Sequence, residues 1–191
     1  MNIFKEYLTT KYGILAIEAD DEAILSISFL PAGKSPDETV QGNIFTELCV
    51  MQLKEYFSGE RRFFNFPYRL TGTDFQNEVW AEIAKIPYGE TISYKELAER
   101  INKPQAIRAV AAAAGENKLL IALPCHRVIG TDGSLTGFSA GLKIKEQLLE
   151  LEKEPEVYTK FNFAEAQKKR GKLPRFLLFR CGLRCLGRYG S

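Results

Sequence analysis

The chain has 191 residues, of which 45% are hydrophobic and 26% are charged, a balance that excludes disordered, collagen-like and coiled-coil chains. Its length fits one or two domains, and no apolar run approaches the roughly 20 residues that span a bilayer. Residues 1–154 carry 17 basic and 22 acidic residues, so bulk charge does not indicate nucleic-acid binding there. The first residues lack the apolar block of a secretory signal, so we expect an intracellular, cytoplasmic protein with no membrane partner.

Strands and one helix are predicted for residues 1–70, which form a candidate N-terminal α+β domain. Alternating apolar residues over 3–29 predict a small β-sheet. Apolar residues at helical spacing predict a helix over 44–57, with Cys49 as a small core residue. Residues 61–70 are predicted to form a further strand and a linker, and the domain boundary is placed near Leu70–Gly72.

Residues 71–154 predict a second, mainly helical domain, so the fold class predicted for the whole chain is α/β. Two capping boxes, Thr73-x-x-Gln76 and Ser93-x-x-Glu96, indicate where two helices begin. A further helix is predicted from Pro104 to Ala114 after a short turn, which makes a helix-turn-helix candidate with the helix before it. Helical hairpins are also common in protein cores, so this pattern alone leaves both interpretations open.

The second helix of this pair is rich in alanine and has one large side chain, Arg108, near its start. Small residues such as Ala109 and Ala113 allow close approach of the helix backbone to a partner. One interpretation is a helix packed tightly in the core. The other is a helix inserted into a DNA groove, with Arg108 as its one large group.

Cys125 follows a buried apolar run and is a candidate nucleophile, provided that its thiolate is stabilised. Neighbouring side chains in an extended chain point to opposite sides, so His126 is expected not to touch Cys125 unless the backbone turns. A bridging water would still let a proton pass between them. Because His126 is the single histidine and no CxxC motif occurs, we expect free thiols and no metal site, and a cysteine-protease dyad is disfavoured.

A last helix is predicted from Gly141 to Glu152. Ile144, Leu148 and Glu152 are spaced by four and share a face, so Glu152 is expected to be drawn inward with its apolar neighbours. A buried carboxylate needs a donor, and His126 is the natural candidate. A relay from Glu152 through His126 and a water to the Cys125 thiol would follow. The alternative is a solvated Glu152 paired with a lysine.

The segment Pro124–Val128 resembles the O6-alkylguanine-DNA alkyltransferase family, in its bacterial single-protein form. Further motifs occur in the family's order and spacing: Ile92–Ser93–Tyr94, Arg108–Ala109–Val110, Asn117, Gly141–Leu142, Lys145–Glu146 and Leu148–Leu149. The resemblance covers residues 70–154 strongly and residues 1–69 in general layout. It implies that the helix-turn-helix binds DNA, through the minor groove.

The resemblance also implies roles for individual residues in the chemistry. Cys125 would accept the alkyl group, with His126 and Glu152 as the relay suspected above. Asn117 would brace the turn that carries the cysteine. Tyr94 would crowd the adjacent phosphate and hydrogen-bond a ring nitrogen of the base.

A second set of implied roles concerns DNA and the alkylated base. Arg108 would fill the gap left by a flipped guanine. Val128 and Cys125 would offer carbonyl oxygens to the guanine amino group, and the Ser139 backbone would donate to O6. Phe138 stands where the family usually has tyrosine, so the aromatic wall is kept and a hydroxyl is lost. The small residues of the recognition helix would lie against the DNA: Ala109 and Ala113.

The resemblance implies direct-reversal DNA repair. The protein would be a monomer that flips O6-alkylguanine, and also O4-alkylthymine, from double-stranded DNA and transfers the alkyl group irreversibly to its own cysteine. No cofactor is implied, and residues 1–69 have no histidine and only Cys49 for the structural zinc of some eukaryotic members. The alternatives are a lesion-binding protein without alkyl transfer, which would lack Cys125, and a helix-turn-helix regulator, which would leave Pro124–Val128 unexplained.

Residues 155–191 form a basic C-terminal extension with 9 basic and 2 acidic residues and no motif of the family. They are predicted to be a disordered basic arm, an added DNA contact or a membrane-surface segment through Phe176–Phe179. Cys181 and Cys185 lie in this extension and could share one helical face.

Overall fold

The computed structural model describes residues 2–31, 33–37 and 39–153. The predictions for residues 155–191, including those for Cys181 and Cys185, lie outside the described residues. Within the described part, a three-stranded sheet and one helix are followed by four helices and a pair of two-residue strands. The predicted α/β class, with a small N-terminal sheet and a mainly helical C-terminal half, is confirmed.

The N-terminal sheet is antiparallel, in the order β1-β2-β3. Its strands are β1 (Phe4–Thr10), β2 (Gly13–Ala19) and β3 (Ile24–Phe29). The central strand β2 buries Leu15 and Ile17 completely, and Ile17 lies opposite the equally buried Ile27.

Helix α1 (Ile44–Phe57) has the predicted bounds and packs on this sheet. Asn43 caps it, because its side chain accepts from the backbone of Thr46 while the Thr46 hydroxyl accepts from the Asn43 N–H. Cys49 and Tyr56 are fully buried on its inner face, which confirms Cys49 as a core residue.

The predicted strand within residues 61–70 is wrong. Among the described residues, this segment makes a single isolated bridge to the sheet, between Tyr68 and Ile24. That bridge has two backbone hydrogen bonds, from Ile24 N–H to Pro67 O and from Arg69 N–H to Ile24 O, each at 2.9 Å. Nearer the start of the segment, the Asn65 N–H donates to the Gln52 side chain, to Oε1 at 3.0 Å. Pro67 has no N–H to offer a ladder, which also works against a regular strand.

Helix α2 (Asp74–Ile83) begins at the predicted capping box of Thr73 and Gln76. The indole N–H of Trp80 donates to the carbonyl of Ala113 at 2.8 Å. This bond fixes α2 against the alanine-rich helix.

The helix-turn-helix pair consists of α3 (Tyr94–Arg100) and α4 (Ile107–Gly115). Ser93 caps α3 by accepting from the Glu96 N–H, but the Glu96 carboxylate accepts from Arg100 rather than completing the predicted box. Helix α4 begins three residues later than Pro104, because the Ala106 N–H closes a turn onto Lys103 O at 2.8 Å.

The remaining elements bring Cys125 beside the last helix. A 3₁₀ turn at Cys125–Arg127 leads into β5 (Val128–Ile129), which pairs in parallel with β4 (Ile92–Ser93). Helix α5 (Leu142–Glu152) packs on that turn. The backbone around His126 is not extended. The Arg127 N–H donates to Pro124 O at 2.9 Å, and this hydrogen bond closes a turn.

Residues up to Lys153 form one compact unit. Backbone hydrogen bonds join the two halves, with Ile27 N–H donating to Lys118 O at 2.8 Å and Leu120 N–H donating to Ile27 O at 3.0 Å. The division at Leu70–Gly72 stays a prediction. None of the helices in residues 2–153 has the length and apolar character that a bilayer span requires.

Candidate active site

A tight turn ahead of Cys125 presents its thiol. Ile121 has a φ of 74°, a value that is strained for a β-branched residue. Asn117 stabilises this turn: its Oδ1 accepts from Leu119 N at 2.8 Å, and its Nδ2 donates to Leu123 O at 2.9 Å. The bracing position predicted for Asn117 is therefore present in the structure.

The Cys125 thiol is buried but has polar neighbours. Burial raises its pKa to about 11, whereas the Asn117 amide and the charge of Lys145 act in the opposite direction. Asn117 Nδ2 lies 3.1 Å from Sγ. The site is therefore built to lower the cost of a buried thiolate.

Lys145 is a fully buried cation. It was named within a family motif, but no role was predicted for it from the sequence. Its Nζ donates to Val128 O at 2.6 Å and to Thr136 O at 2.7 Å. Burial lowers its pKa to about 8, and the nearby Cys125 thiol works against that shift. Its signal in the sequence was its place three residues before Leu148, on the inner face of α5.

Glu152 is fully buried and pairs with His126, as predicted. His126 Nε2 lies 2.8 Å from Glu152 Oε1, and because a carboxylate only accepts, Nε2 carries the hydrogen. Burial lowers the pKa of His126 despite the carboxylate, so the ring is neutral at neutral pH. The other ring nitrogen, Nδ1, is buried and has no partner within residues 2–153.

Three further residues donate hydrogen bonds to Glu152, and none of them was predicted from the sequence. Arg127 binds both carboxylate oxygens, through Nε at 2.7 Å and Nη2 at 2.8 Å, and the Tyr56 hydroxyl donates at 2.7 Å. The Gly89 N–H adds a longer contact at 3.3 Å. Although burial opposes ionisation, the bonds from His126 and Arg127 hold the pKa of Glu152 well below its usual range. The position of Arg127 next to His126 in the sequence could have indicated that it donates to Glu152. Nothing in the sequence indicated the same for Tyr56.

Tyr94 and the loop after β5 form the other side of the site. The Tyr94 hydroxyl donates to Thr136 O and Gly137 O, each at 3.2 Å, and burial raises its pKa. Phe138 is half-buried and meets the His126 ring edge-on at 6.4 Å between centroids. Ser139 is exposed.

The exposed face of α4 carries Arg108 and Ala109, whereas Ala113 lies on its buried face with 4% of its surface accessible. The carbonyl of Ala113 is also taken by Trp80. The predicted DNA contact of Ala113 is therefore corrected: the residue packs α4 against α2. In the described ranges no group of three or more His, Cys, Asp or Glu side chains could hold a metal ion.

Two family models match the chain in tandem. The ribonuclease-like domain of 6-O-methylguanine DNA methyltransferase matches residues 3–70, and the DNA binding domain of the same family matches residues 74–154. The second match contains Cys125, His126 and Glu152.

Two relatives share one protein name and match most of the chain. The methylated-DNA–protein-cysteine methyltransferase of Methanosarcina barkeri is 40% identical over 153 residues, which are 78% of this chain and 97% of that protein. The protein of that name from Haemophilus influenzae is 41% identical over 159 residues, covering 80% of this chain and 88% of the relative.

Solved structures agree with these matches. The O6-methylguanine methyltransferase of Mycobacterium tuberculosis superposes with a TM-score of 0.73 at 38% identity, covering 84% of this chain and all of that one. The Mycobacterium tuberculosis OGT in complex with DNA gives 0.71 at 38% identity, covering 83% of this chain and 99% of that chain. The chain belongs to the 6-O-methylguanine DNA methyltransferase family.

Proposed function

We propose that this protein repairs DNA by direct reversal, as a methylated-DNA–protein-cysteine methyltransferase that takes the alkyl group of O6-alkylguanine onto Cys125. The observation that carries this proposal is the setting of the thiol: Asn117 Nδ2 lies 3.1 Å from Sγ, beside a buried His126–Glu152 pair. A helix-turn-helix regulator would have no use for such a thiol.

The hydrogen bonding of His126 supports a proton relay. With a pKa of about 11, the Cys125 thiol is protonated at neutral pH, so it must lose its proton during the reaction. His126 donates through Nε2 to Glu152 and keeps the Nδ1 lone pair for a proton. A bridging water carries the thiol proton to Nδ1, and Glu152 stabilises the imidazolium that forms, against the opposing charge of Arg127.

The chemical step is an in-line displacement. The thiolate attacks the alkyl carbon, a carbon–sulfur bond forms, and the bond between that carbon and guanine O6 breaks. The departing guanine takes a proton at a ring nitrogen, for which the Tyr94 hydroxyl is the proposed donor, while the Ser139 backbone N–H is proposed to hydrogen-bond O6. The proton that the thiol gave to His126 replaces the one that guanine takes, so the step balances. The product is a thioether that water does not cleave, so each molecule acts once, without a cofactor.

The substrate requires access to a base inside the duplex. The alkylated oxygen lies within the base stack, so the nucleotide must be extruded, at a cost of a few kcal/mol. Arg108 and Ala109 on the exposed face of α4 support a role at the minor groove, with Arg108 filling the gap. O4-alkylthymine is the second proposed substrate, with Phe138 as the aromatic wall of the base pocket and the Val128 carbonyl facing the base. The protein acts as a cytoplasmic monomer on double-stranded DNA.

Peptide mapping after incubation with methyl-labelled duplex DNA tests the transfer. Label is expected on Cys125 in the full-length protein, and Cys125→Ser is expected to bind the lesion without taking the label, because a hydroxyl is far less nucleophilic. Cys49→Ser is the matched control and retains full labelling of Cys125. Label on Cys49, Cys181 or Cys185 would overturn the assignment.

Arg108→Ala tests the flipping role. Free O6-benzylguanine needs no extrusion, so the variant is expected to react normally with the free base and slowly with the duplex lesion. Lys54→Ala, an exposed substitution on α1, should change neither rate. Equal losses on both substrates would assign Arg108 a structural role instead.

A further inference from the structure

Glu152 receives hydrogen bonds from both halves of the chain. The donors from the C-terminal half are His126, Arg127 and the Gly89 amide. The hydroxyl of Tyr56, on α1, donates to Oε1 at 2.7 Å, the same oxygen that His126 Nε2 contacts at 2.8 Å. Tyr56, which lies 96 positions before Glu152, therefore donates to the same carboxylate oxygen that binds His126, the candidate base.

Tyr56 is fixed in place by its neighbours. Its ring is completely buried, with the rings of Phe57, Phe64 and Tyr88 at 5.3, 5.6 and 6.2 Å between centroids. Burial and the charge of Glu152 raise its pKa well above the usual value. The phenol therefore remains a donor throughout the pH range in which an imidazole titrates.

Glu152 Oε1 also accepts from Arg127 Nη2 at 2.8 Å, so three donors share this oxygen. A carboxylate oxygen that accepts several hydrogen bonds divides its charge among them, so each donor weakens the hold on the others. We infer that Tyr56 is a positioning residue of the proton relay: its hydroxyl orients Glu152 Oε1 toward His126 and, by sharing that oxygen, keeps the imidazole a weaker base. The inference deepens the proposed alkyl transfer and rests on it. The N-terminal half thereby contributes to the acidic limit of the reaction, together with the burial of His126 and the charges of Arg127 and Lys145.

The other charged and titratable groups around this pair are unchanged when the Tyr56 hydroxyl is removed. They come from the 3₁₀ turn, from α5 and from the segments before α2 and β4: Cys125, Arg127, Lys145, Tyr88 and Arg62. Tyr56→Phe therefore removes one hydrogen bond to Glu152 and no charge.

His126 is the chain's only histidine, so its ring signals in a nitrogen-15 NMR titration of the full-length protein need no assignment. In Tyr56→Phe the titration midpoint of His126 is expected to rise by about half a pH unit to one unit, where one unit is a tenfold change in proton affinity. Tyr88→Phe is the matched control, because the Tyr88 hydroxyl donates to Leu151 O and not to the carboxylate. Its midpoint should stay at the wild-type value.

The rate of benzyl transfer from free O6-benzylguanine gives the second readout. Because neutral His126 is the base, the acidic limb of the rate profile should move to higher pH by the same amount in Tyr56→Phe. A lower rate at every pH with an unmoved limb would show a merely structural role and overturn the inference. An unmoved NMR midpoint, or an equal shift in Tyr88→Phe, would overturn it as well.

A fluorinated tyrosine at position 56 decides the question if Tyr56→Phe does not fold. 3,5-Difluorotyrosine keeps the ring and the hydroxyl but donates more strongly, so the His126 midpoint should fall, and an unchanged midpoint would overturn the inference. The NMR midpoint does not depend on alkyl transfer. A wild-type protein that transfers nothing would thus refute the proposed function, whereas normal labelling of Cys125 with an unmoved midpoint would refute this inference alone.

Discussion

Cys49 on α1 and Cys125 in the 3₁₀ turn are both buried thiols, but their surroundings differ. Cys49 lies among apolar side chains of the N-terminal core, and burial together with the charge of Glu6 raises its pKa. Cys125 is buried as deeply, yet an amide donor and a buried cation offset part of the same effect. Burial alone makes a thiol inert, and the polar contacts around it make a nucleophile.

The largest expected effect comes from reversing the polarity of the Cys125 contact. In Asn117→Asp, the side chain still accepts from Leu119 N–H, but a carboxylate replaces the amide donor beside Sγ. A negative charge at that distance destabilises the thiolate, so the rate of benzyl transfer from free O6-benzylguanine should fall about 100-fold or more. The measurement is a single-turnover rate at neutral pH.

Asn102→Asp, an exposed substitution of the same kind, is the control and should keep the wild-type rate. A normal rate in Asn117→Asp would show that the contact with Sγ does not govern reactivity. The difference between Cys125 and Cys49 would then need another cause.

Local spacing made part of this site predictable. Glu152 shares a helix face with Leu148, so its burial followed from the sequence, and its need for a donor pointed to the single histidine. The bounds of α1 and the cap at Thr73 followed from patterns that involve only near neighbours. Such features depend on interactions within a few turns of chain.

Features that depend on distant contacts were not predictable. Tyr56 is one of two aromatic residues at the end of α1, and only the folded arrangement brings its hydroxyl to Glu152. Residues 61–70 have the composition of a strand, but they pair with the sheet at the single bridge of Tyr68 with Ile24, while the Asn65 N–H donates to the distant Gln52. The alanine-rich sequence of α4 did not distinguish the exposed Ala109 from the buried Ala113. One face of the helix packs in the core and the other is open to a partner, so each of the two interpretations of α4 describes one face.

Removing the cation near Cys125 gives a smaller effect. Lys145→Met keeps the length of the side chain but removes the charge that favours the thiolate, so benzyl transfer should slow by roughly tenfold at neutral pH, equivalent to about one pKa unit of the thiol. Because the pKa of Lys145 is about 8, its charge is present below that pH and lost above it. The ratio of wild-type to variant rates should therefore narrow as the pH rises through about 8.

The control is Lys143→Met, an exposed position on the same helix, which should match the wild type. A ratio of rates that stays constant from pH 6 to pH 10 would contradict the electrostatic role of Lys145. The two carbonyl contacts to Val128 and Thr136 would then be its whole contribution.

The smallest effect on the reaction is expected at the other thiol. Cys49→Ala removes a fully buried sulfur from the α1 core, so the free energy of unfolding should fall by about 1 kcal/mol, the usual size for a small core deletion. Benzyl transfer should be unchanged, because Cys49 is not among the groups that contact Cys125, His126 or Glu152. Denaturant unfolding and the single-turnover rate measure the two quantities on one sample. A slower transfer rate with unchanged stability would contradict the comparison of Cys49 with Cys125, because it would show that Cys49 takes part in the reaction.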